Sequence, residues 1–367
     1  MDVSGTWDGT PHWEKEPEVA ERFIRYIDPN VESRLTNGAV PRDIIPHGAS
    51  FWTRTAQILA AEEDGSPISF FLKVSIGDDG KGMMHGEFES MKALNKALPE
   101  LVPEPIAWGT YSTDGDIHFF LCTFYDMDEE LCSLDTFPKM LAELHKRGSS
   151  PTGKFGFGVT TYQGRLAQDP TWCDTWEESF SRNTDIFFEH ELKAQGPDEE
   201  IAQLREIITK RVIPRLLRPM ETGGRKVAPR LIHGDLWEGN AGTDLVTAIP
   251  KIYDACSWYA HNEFEMAPWR PARQKMGKPY VRAYLDHFPV SEPVADFDGR
   301  NALYALRFNL CSSGLYPGNL NYRNVVRNDM RELIERFPES FEEWEKEQTS
   351  WKNRESNVTK SSNAAFR

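Results

Sequence analysis

The stretch LIHGDLWEGNAGTDLVTAIPKIYD, residues 231–254, constrains this chain more than any other feature. It places Asp235 directly after a His-Gly pair, Asn240 five positions later, and Asp254 at the end of a second short apolar run. Short apolar runs bounded by Gly, Asp and Asn read as strands joined by tight loops. A strand over 230–233 therefore feeds a loop that presents Asp235 and turns back through Gly239, whose freedom permits the turn, so that Asn240 faces the same point. A hairpin follows, and its second strand, 251–253, delivers Asp254 to the other side. Transfer of a nucleotide's γ-phosphoryl group needs a carboxylate near the attacking hydroxyl and hard oxygen donors for a divalent cation. A lone His-Gly-Asp is also an ordinary turn, and Asn and Asp often cap loops. The ordered set of three is what favours chemistry.

Such chemistry also needs a cation for the nucleotide phosphates and a carboxylate to hold it. Residues 54–61 and 68–74 alternate as strands around the turn signal 63–67, which puts Lys73 near a strand end. In the helix expected over 84–98, Glu87 shares a face with Met91, Leu94 and Leu98, at spacings of four, seven and eleven. Glu89 instead lies with Lys92 and Lys96, the pattern of a solvated face. A carboxylate on an apolar stripe is costly unless paired, so Glu87 is expected to face Lys73.

These motifs resemble the fructosamine 3-kinase family, also called ketosamine or protein-ribulosamine 3-kinases. Its hallmark HGDLW-x-GN stands at 233–240. Further shared features run from about residue 45 to 335: the Lys73 strand, Gly86-Glu87, LAELH at 141–145, KFGF at 154–157 with Trp172 and Trp176, Tyr253-Asp254 leading to His261 and Glu265, and an aromatic helix at 303–310. The resemblance implies an α+β, bilobal protein-kinase-like fold related to aminoglycoside and choline kinases, with a small antiparallel-sheet lobe and a larger, mostly helical one. It implies ATP with Mg²⁺ as cofactors, and phosphorylation of the sugar O3 of a fructosamine or ribulosamine, a free ketoamine or a glycated protein lysine. Elimination of that phosphate would then deglycate the amine, a repair role.

Carried over by position, the resemblance makes Asp235 the base for the sugar hydroxyl and Asn240 and Asp254 the Mg²⁺ ligands. Lys73 contacts the phosphates with Glu87 orienting it, and 121–125, with Thr123 and Tyr125, forms the hinge that meets adenine. Trp237 is either a wall of the sugar pocket or core packing. His233, His261 and Glu265 complete the expected substrate side. The phosphate-covering loop falls at 46–52 but holds only Gly48, so Ser50 and neighbouring amides are left to cap a phosphate. Glu238 stands where many relatives have a small residue, and an added carboxylate there favours a cationic acceptor. Ala260 replaces a usual Gly, and 46–55 lacks the redox-active Cys of some relatives.

Net charge of −15 argues against nucleic acid or an anionic membrane as partner. No run of eighteen apolar residues occurs, and the opening MDVSGTWDGT lacks the basic end and apolar stretch of a signal peptide, which suggests a cytoplasmic location. Five scattered cysteines without a CxxC pair read as reduced thiols, and the sequon at Asn357 carries no meaning in such a compartment.

The expected organisation is an extension over 1–40 with a helix at 17–27, a nucleotide-binding lobe over 41–125, a catalytic lobe over 126–350 and a polar tail over 351–367. Helices are expected at 137–146 and 199–220, the latter carrying Ile201, Leu204, Ile208, Val212 and Leu216. The Gly-rich stretch 151–168 between them reads as a functional loop; its GKFGFG is not a nucleotide loop, because no Ser or Thr follows the Lys. Three readings stand: a ketosamine 3-kinase, a related kinase for another amine-bearing hydroxyl compound, and a non-catalytic binding protein, which has no physical need for Lys73, Glu87, Asp235, Asn240 and Asp254 together.

Overall fold

Alternating apolar residues between positions 40 and 123 build the first layer of the protein, in a computed structural model that describes residues 18–50, 52–128 and 130–350. Phe51 of the expected phosphate loop, Pro17, the 351–367 tail and its sequon lie outside the described residues. Strands β1 (Val40–Ala49), β2 (Arg54–Ala61), β3 (Pro67–Ile76), β4 (Pro105–Thr110) and β5 (Ile117–Thr123) form one sheet in the order β1-β2-β3-β5-β4, with every pair antiparallel. Phe70, Leu72 and Val74 of β3 share one buried cluster with Val19, Phe23, Ile24 and Val31. Side chains alternate along a strand, so Lys73 projects from the opposite face.

The extension differs from the expected helix over 17–27. A 3-10 turn at Glu21–Ile24 and the short α1 (Pro29–Glu32) are formed instead. Asp28 precedes a proline and takes an extended conformation, which separates the two, as the pre-proline clash with helical geometry dictates. Its carboxylate caps α1 at Asn30 and accepts from the backbone of Ser112 and Thr113, which ties the extension to the sheet.

Helix α2 (Gly77–Ala97) begins seven residues before the expected start at 84. Its GDDGKG opening looks like a helix breaker, yet Asp78 and Asp79 occupy the first turn, where the helix dipole favours carboxylates. The glycines serve close approach: a Cβ on Gly82 would fall 2.3 Å from the Tyr162 hydroxyl, and one on Gly86 2.7 Å from the Thr160 carbonyl. The apolar stripe is as expected, with Met91 and Leu94 fully buried beside Phe120 of β5.

Beyond Thr123 the chain becomes mostly helical: β6 (Met127–Asp128), α3 (Phe137–Arg147), the hairpin β7 (Tyr162–Gln163) and β8 (Leu166–Ala167), α4 (Trp176–Gln195), α5 (Glu199–Ile207) and α6 (Ile213–Leu217). A π turn at Ile208–Val212 joins the last two, just before Pro214, which has no N–H to continue the helical ladder. The wider turn keeps Ile208, Val212 and Leu216 buried on one face although they recur every four residues. Strands β9 (Arg230–Ile232), β10 (Ala241–Asp244), β11 (Pro250–Ile252) and β12 (Trp258–Ala260) follow, then α7 (Lys278–Leu285), α8 (Phe297–Leu315) and α9 (Leu320–Arg336). Helix α8 packs against α4 and α9, with Trp176, Phe180 and Tyr304 in the main core. All five cysteines are buried and free. No described helix is long and apolar enough to cross a membrane.

Candidate active site

A cavity of about 450 Å³ is lined by both the sheet layer and the helical part. Volumes of several hundred Å³ suit a small-molecule site. From the sheet layer it receives Ser50, Trp52, Lys73 and Glu87; from the β9–β11 region it receives Asp235, Trp237, Glu238, Asn240 and Asp254. Most of the candidate residues therefore meet at one place.

The cation comes from the β3 face opposite the sheet's core. Lys73 Nζ lies 2.8 Å from Glu87 Oε2 and 2.9 Å from Asp254 Oδ1. Lys73 and Glu87 are each 8 % exposed, whereas the Asp254 side chain keeps 42 % of its surface open toward the cavity. Burial alone would lower the Lys73 pKa, but the two carboxylates outweigh it and hold the ammonium above its usual value. Burial pushes Glu87 up to about 7, while Lys73 holds the Asp254 carboxyl below its usual range against burial. Asp254 sits at φ 60°, a left-handed conformation uncommon for any residue but Gly. Such strain is found where a side chain must be aimed.

The loop after β9 presents Asp235. Gly234 adopts φ 90°, and a Cβ there would come within 2.4 Å of the Cys256 carbonyl, so this glycine makes the turn possible. The turn role expected of Gly239 is corrected: its φ is not in the left-handed region, and its value is space, since a Cβ would meet the Trp237 ring at 2.3 Å. Asn240 Nδ2 donates to the Asp235 carbonyl at 2.8 Å, and among the described residues its Oδ1 accepts no hydrogen bond. Asp235 Oδ1 accepts from Gln163 Nε2 at 2.9 Å, and burial raises the Asp235 carboxyl to about 7. A carboxylate with that value is suited to accept a proton near neutral pH.

His233, His261 and Glu265, expected beside the substrate, are corrected to supporting roles, because each is at most 1 % exposed and none lines the cavity. Glu265 accepts from the backbone N–H of His233 at 2.5 Å and of Gly234 at 2.9 Å, and contacts His145 Nε2 at 3.3 Å. Burial opposes its charge, but His145, His233 and the backbone donors keep its pKa below the usual value. His261 bonds to the Tyr304 hydroxyl at 2.9 Å and Ser291 Oγ at 2.8 Å. Glu265 thus anchors the loop from behind, while His261 ties the end of β12 to α8 and the Ser291 segment: charged and polar groups in the interior are kept there by partners.

Thr123 and Tyr125 also stand outside the cavity lining. Thr123 N–H donates to the Glu104 carbonyl, and the Tyr125 ring packs under Lys251 Nζ at 4.3 Å. Ser50 lines the cavity in a tight turn between β1 and β2, where its N–H donates to the Thr53 carbonyl. Trp237 is 36 % exposed on the cavity, which excludes core packing for it. Glu238 lines the same wall, and the Gln274 amide, oriented as donor, reaches its two carboxylate oxygens at 3.2 and 3.1 Å.

Two residues that bear on Asp235, one directly and the other through the first, were not singled out by the sequence. Gln163 comes from the β7–β8 hairpin, and Arg307 from the middle of α8 donates to Gln163 Oε1 at 2.9 Å. The signal for Arg307 was of the kind that found Glu87, a charge inside an apolar helical run. Gln163 carried none.

A family model described as fructosamine kinase matches residues 55–336. Protein-ribulosamine 3-kinase, chloroplastic, of Oryza sativa subsp. japonica is 30% identical over 253 residues, 67% of this chain and 69% of that protein. Ketosamine-3-kinase of Mus musculus is 28% identical over 217 residues, 54% and 68% of the two chains. Among solved structures, a proposed fructosamine-3-kinase from Thermobifida fusca superposes with a TM-score of 0.64 at 21% identity, over 83% of this chain and 98% of the other. Aminoglycoside phosphotransferase APH(4)-Ia superposes at 0.54 with 15% identity, over 81% and 94%. At these identities the structural likeness speaks for the fold, the expected kinase-like α+β arrangement of an antiparallel sheet and a mostly helical remainder. The match over residues 55–336 speaks for the family: the chain belongs to the fructosamine kinases.

Proposed function

We propose that the protein is an ATP-dependent ketoamine 3-kinase that phosphorylates the sugar O3 hydroxyl of a ribulosamine or fructosamine, free or on a protein lysine. The observation that carries this reading is the convergence of Asp235, Asn240, Asp254 and Lys73 on one cavity. Curated relatives named as ribulosamine and ketosamine 3-kinases supply the substrate class. Elimination of the 3-phosphate would afterwards release the amine, giving the enzyme a deglycating role.

Within this reading Asp235 accepts the proton of the attacking hydroxyl through Oδ2, because Oδ1 is held by Gln163 at 2.9 Å while Oδ2 has only a long 3.5 Å contact from Asn240 Nδ2 among the described residues. Lys73, kept charged by its two carboxylates, meets the nucleotide phosphates, and Glu87 fixes its position. No group of three or more His, Cys, Asp or Glu side chains suited to a metal occurs among the described residues. The open carboxylate of Asp254 and the unused Oδ1 of Asn240 instead offer two hard oxygen donors, which fits Mg²⁺, a cation that usually takes one or two carboxylates and fills its shell with phosphate and water. Bound there, Mg²⁺ would neutralise charge on the transferring phosphoryl group. Trp237 and Glu238 form the acceptor wall, an aromatic face beside a carboxylate, which suits a sugar carrying a protonated secondary amine.

The test is ATP consumption with ribulosamine, fructosamine, choline and aminoglycoside acceptors, with mass spectrometry locating the phosphate. Phosphate on O3 of a ketoamine supports the reading. Turnover restricted to choline or an aminoglycoside overturns it in favour of the related kinase.

A further inference from the structure

Four arginines are buried among the described residues, and three of them pair with carboxylates: Arg215 with Asp296, Arg300 with Glu263 and Arg323 with Glu191. Arg307 is the exception. It is 1 % exposed, and its hydrogen bonds run to three neutral amide oxygens: Asn183 Oδ1 at 2.8 Å, Gln163 Oε1 at 2.9 Å and Gln168 Oε1 at 2.9 Å. Its guanidinium lies 3.2 Å from the centroid of the Phe187 ring. A buried cation without an ionic partner is costly, so its retention calls for a reason. The Asn183 amide turns its oxygen to Arg307 and leaves its own Nδ2 without a partner among the described residues. The surroundings are thus arranged for the arginine at some cost to themselves.

We propose that Gln163 and Arg307 are positioning residues for Asp235, which together fix one carboxylate oxygen and leave the other, held only by a long 3.5 Å contact from Asn240 Nδ2 among the described residues, to meet the acceptor hydroxyl. The proposal rests on the kinase reading above. Arginine is a donor only, so the Gln163 oxygen must face it and the Gln163 Nε2 must face the other way. That other side is Asp235 Oδ1, 2.9 Å away. The amide orientation is therefore imposed by Arg307 and presents a donor to the base. A direct Arg–Asp pair would engage both carboxylate oxygens in a bidentate fork. An interposed amide engages one. Gln163 is itself held in place, because the Thr160–Thr161 backbone before it seats on Gly86 of α2, and Gln168 bonds both Arg307 and the Cys256 carbonyl.

Gln163→Glu separates this role from a structural one. A glutamate there would pair with Arg307 as the other buried arginines are paired, which offsets its repulsion from Asp235, so the variant should remain folded with a cooperative melt. Ionised it cannot donate to Asp235, and protonated it ties up the base in a shared proton, so kcat should fall by about 30-fold or more while KM for ATP and for the acceptor stays within about 3-fold, the effect of a misplaced reacting group. Gln163→Leu should lower kcat similarly, and adding Arg307→Met to it should cause little further loss, since both residues act through one bond. Wild-type kcat in Gln163→Glu, or fully multiplicative losses in the double variant, would overturn the proposal. If the wild type phosphorylates no ketoamine, the functional reading fails, and the same kcat comparison on its slow hydrolysis of ATP by water decides the positioning role separately.

Discussion

The Nε2–H of His233 donates to the carbonyl of Tyr253 across 2.8 Å, linking the loop that carries Asp235 to the residue before Asp254. That bond fixes the tautomer: Nδ1 is left as an acceptor, and the Asp235 N–H points to it at 3.3 Å. Burial lowers the His233 pKa, so the neutral ring that this pattern requires is the favoured form. Tyr253 N–H donates to the Asn240 carbonyl at 3.1 Å, and Cys256 N–H to the His233 carbonyl at 3.0 Å. The spacing of the three functional side chains is thus held through the backbone, behind the cavity.

Removing that ring should loosen the site without touching its surface. His233→Ala leaves the Tyr253 carbonyl and the Asp235 N–H unpaired in the interior, a loss of about 1–3 kcal/mol for each group so exposed to desolvation. Urea unfolding is expected to show a lower midpoint at unchanged slope, with reduced kcat. A midpoint equal to wild type would mean that water or backbone movement replaces the ring.

Much of this site was legible because a costly residue type stood in a telling pattern. Glu87 on an apolar stripe demanded a cation, and Lys73 lies 2.8 Å from it. The second carboxylate on Lys73, Asp254, was invisible because the contact joins residues 181 apart. His233, His261 and Glu265 sat inside the motif region and were placed on the substrate. Membership of a motif region does not distinguish a side chain that faces the ligand from one that supports the framework behind it; the burial of all three does. The early start of α2 was hidden by its glycines, whose purpose is the approach of the 160–162 loop and not a break in the helix.

Asp235→Asn should lower kcat by about 10²–10⁴, the range of a lost general base. It should also stabilise the metal-free protein at and above neutral pH. The folded carboxyl is raised to about 7 by burial, so between the usual carboxylate range and that value the native state binds a proton the unfolded chain does not. The wild type therefore loses stability as pH rises through 7, and the Asn variant, with no charge to bury, does not. Thermal melts in chelator should show the variant ahead of wild type at pH 8 and the gap closing toward pH 4. A gap that widens with acid would contradict the burial argument.

Asp254→Ala removes the carboxylate that is open to the cavity and leaves Lys73 with Glu87 alone. A hard oxygen donor is lost from the proposed Mg²⁺ position, so nucleotide should bind weakly even with excess metal. A ligand that binds the native state raises the melting temperature in proportion to the logarithm of its concentration over Kd. Titration with Mg²⁺ and ATP is expected to raise the wild-type melting temperature and to leave the variant nearly flat. Equal shifts in both would remove Asp254 from nucleotide binding.

The two glycines of α2 give a graded test of how tightly the β7–β8 hairpin is seated. At Gly86 an added Cβ would meet the Thr160 backbone carbonyl at 2.7 Å and the Thr161 Cα at 3.1 Å, neither of which can move without shifting the hairpin. At Gly82 it would meet the Tyr162 hydroxyl and ring, the far end of a side chain that can swing aside. Alanine gains helix propensity of about 1 kcal/mol over glycine at both positions, so any loss reports the clash. Gly86→Ala is expected to be destabilised by about 1–3 kcal/mol, the range for overpacking, and to lose kcat, because the displaced hairpin carries Gln163 away from Asp235. Gly82→Ala should lie within about 1 kcal/mol of wild type with most of its activity. The two are compared by denaturant unfolding and steady-state kinetics, and a Gly82 variant more damaged than the Gly86 variant would show that the ring, and not the hairpin backbone, is the rigid partner of α2.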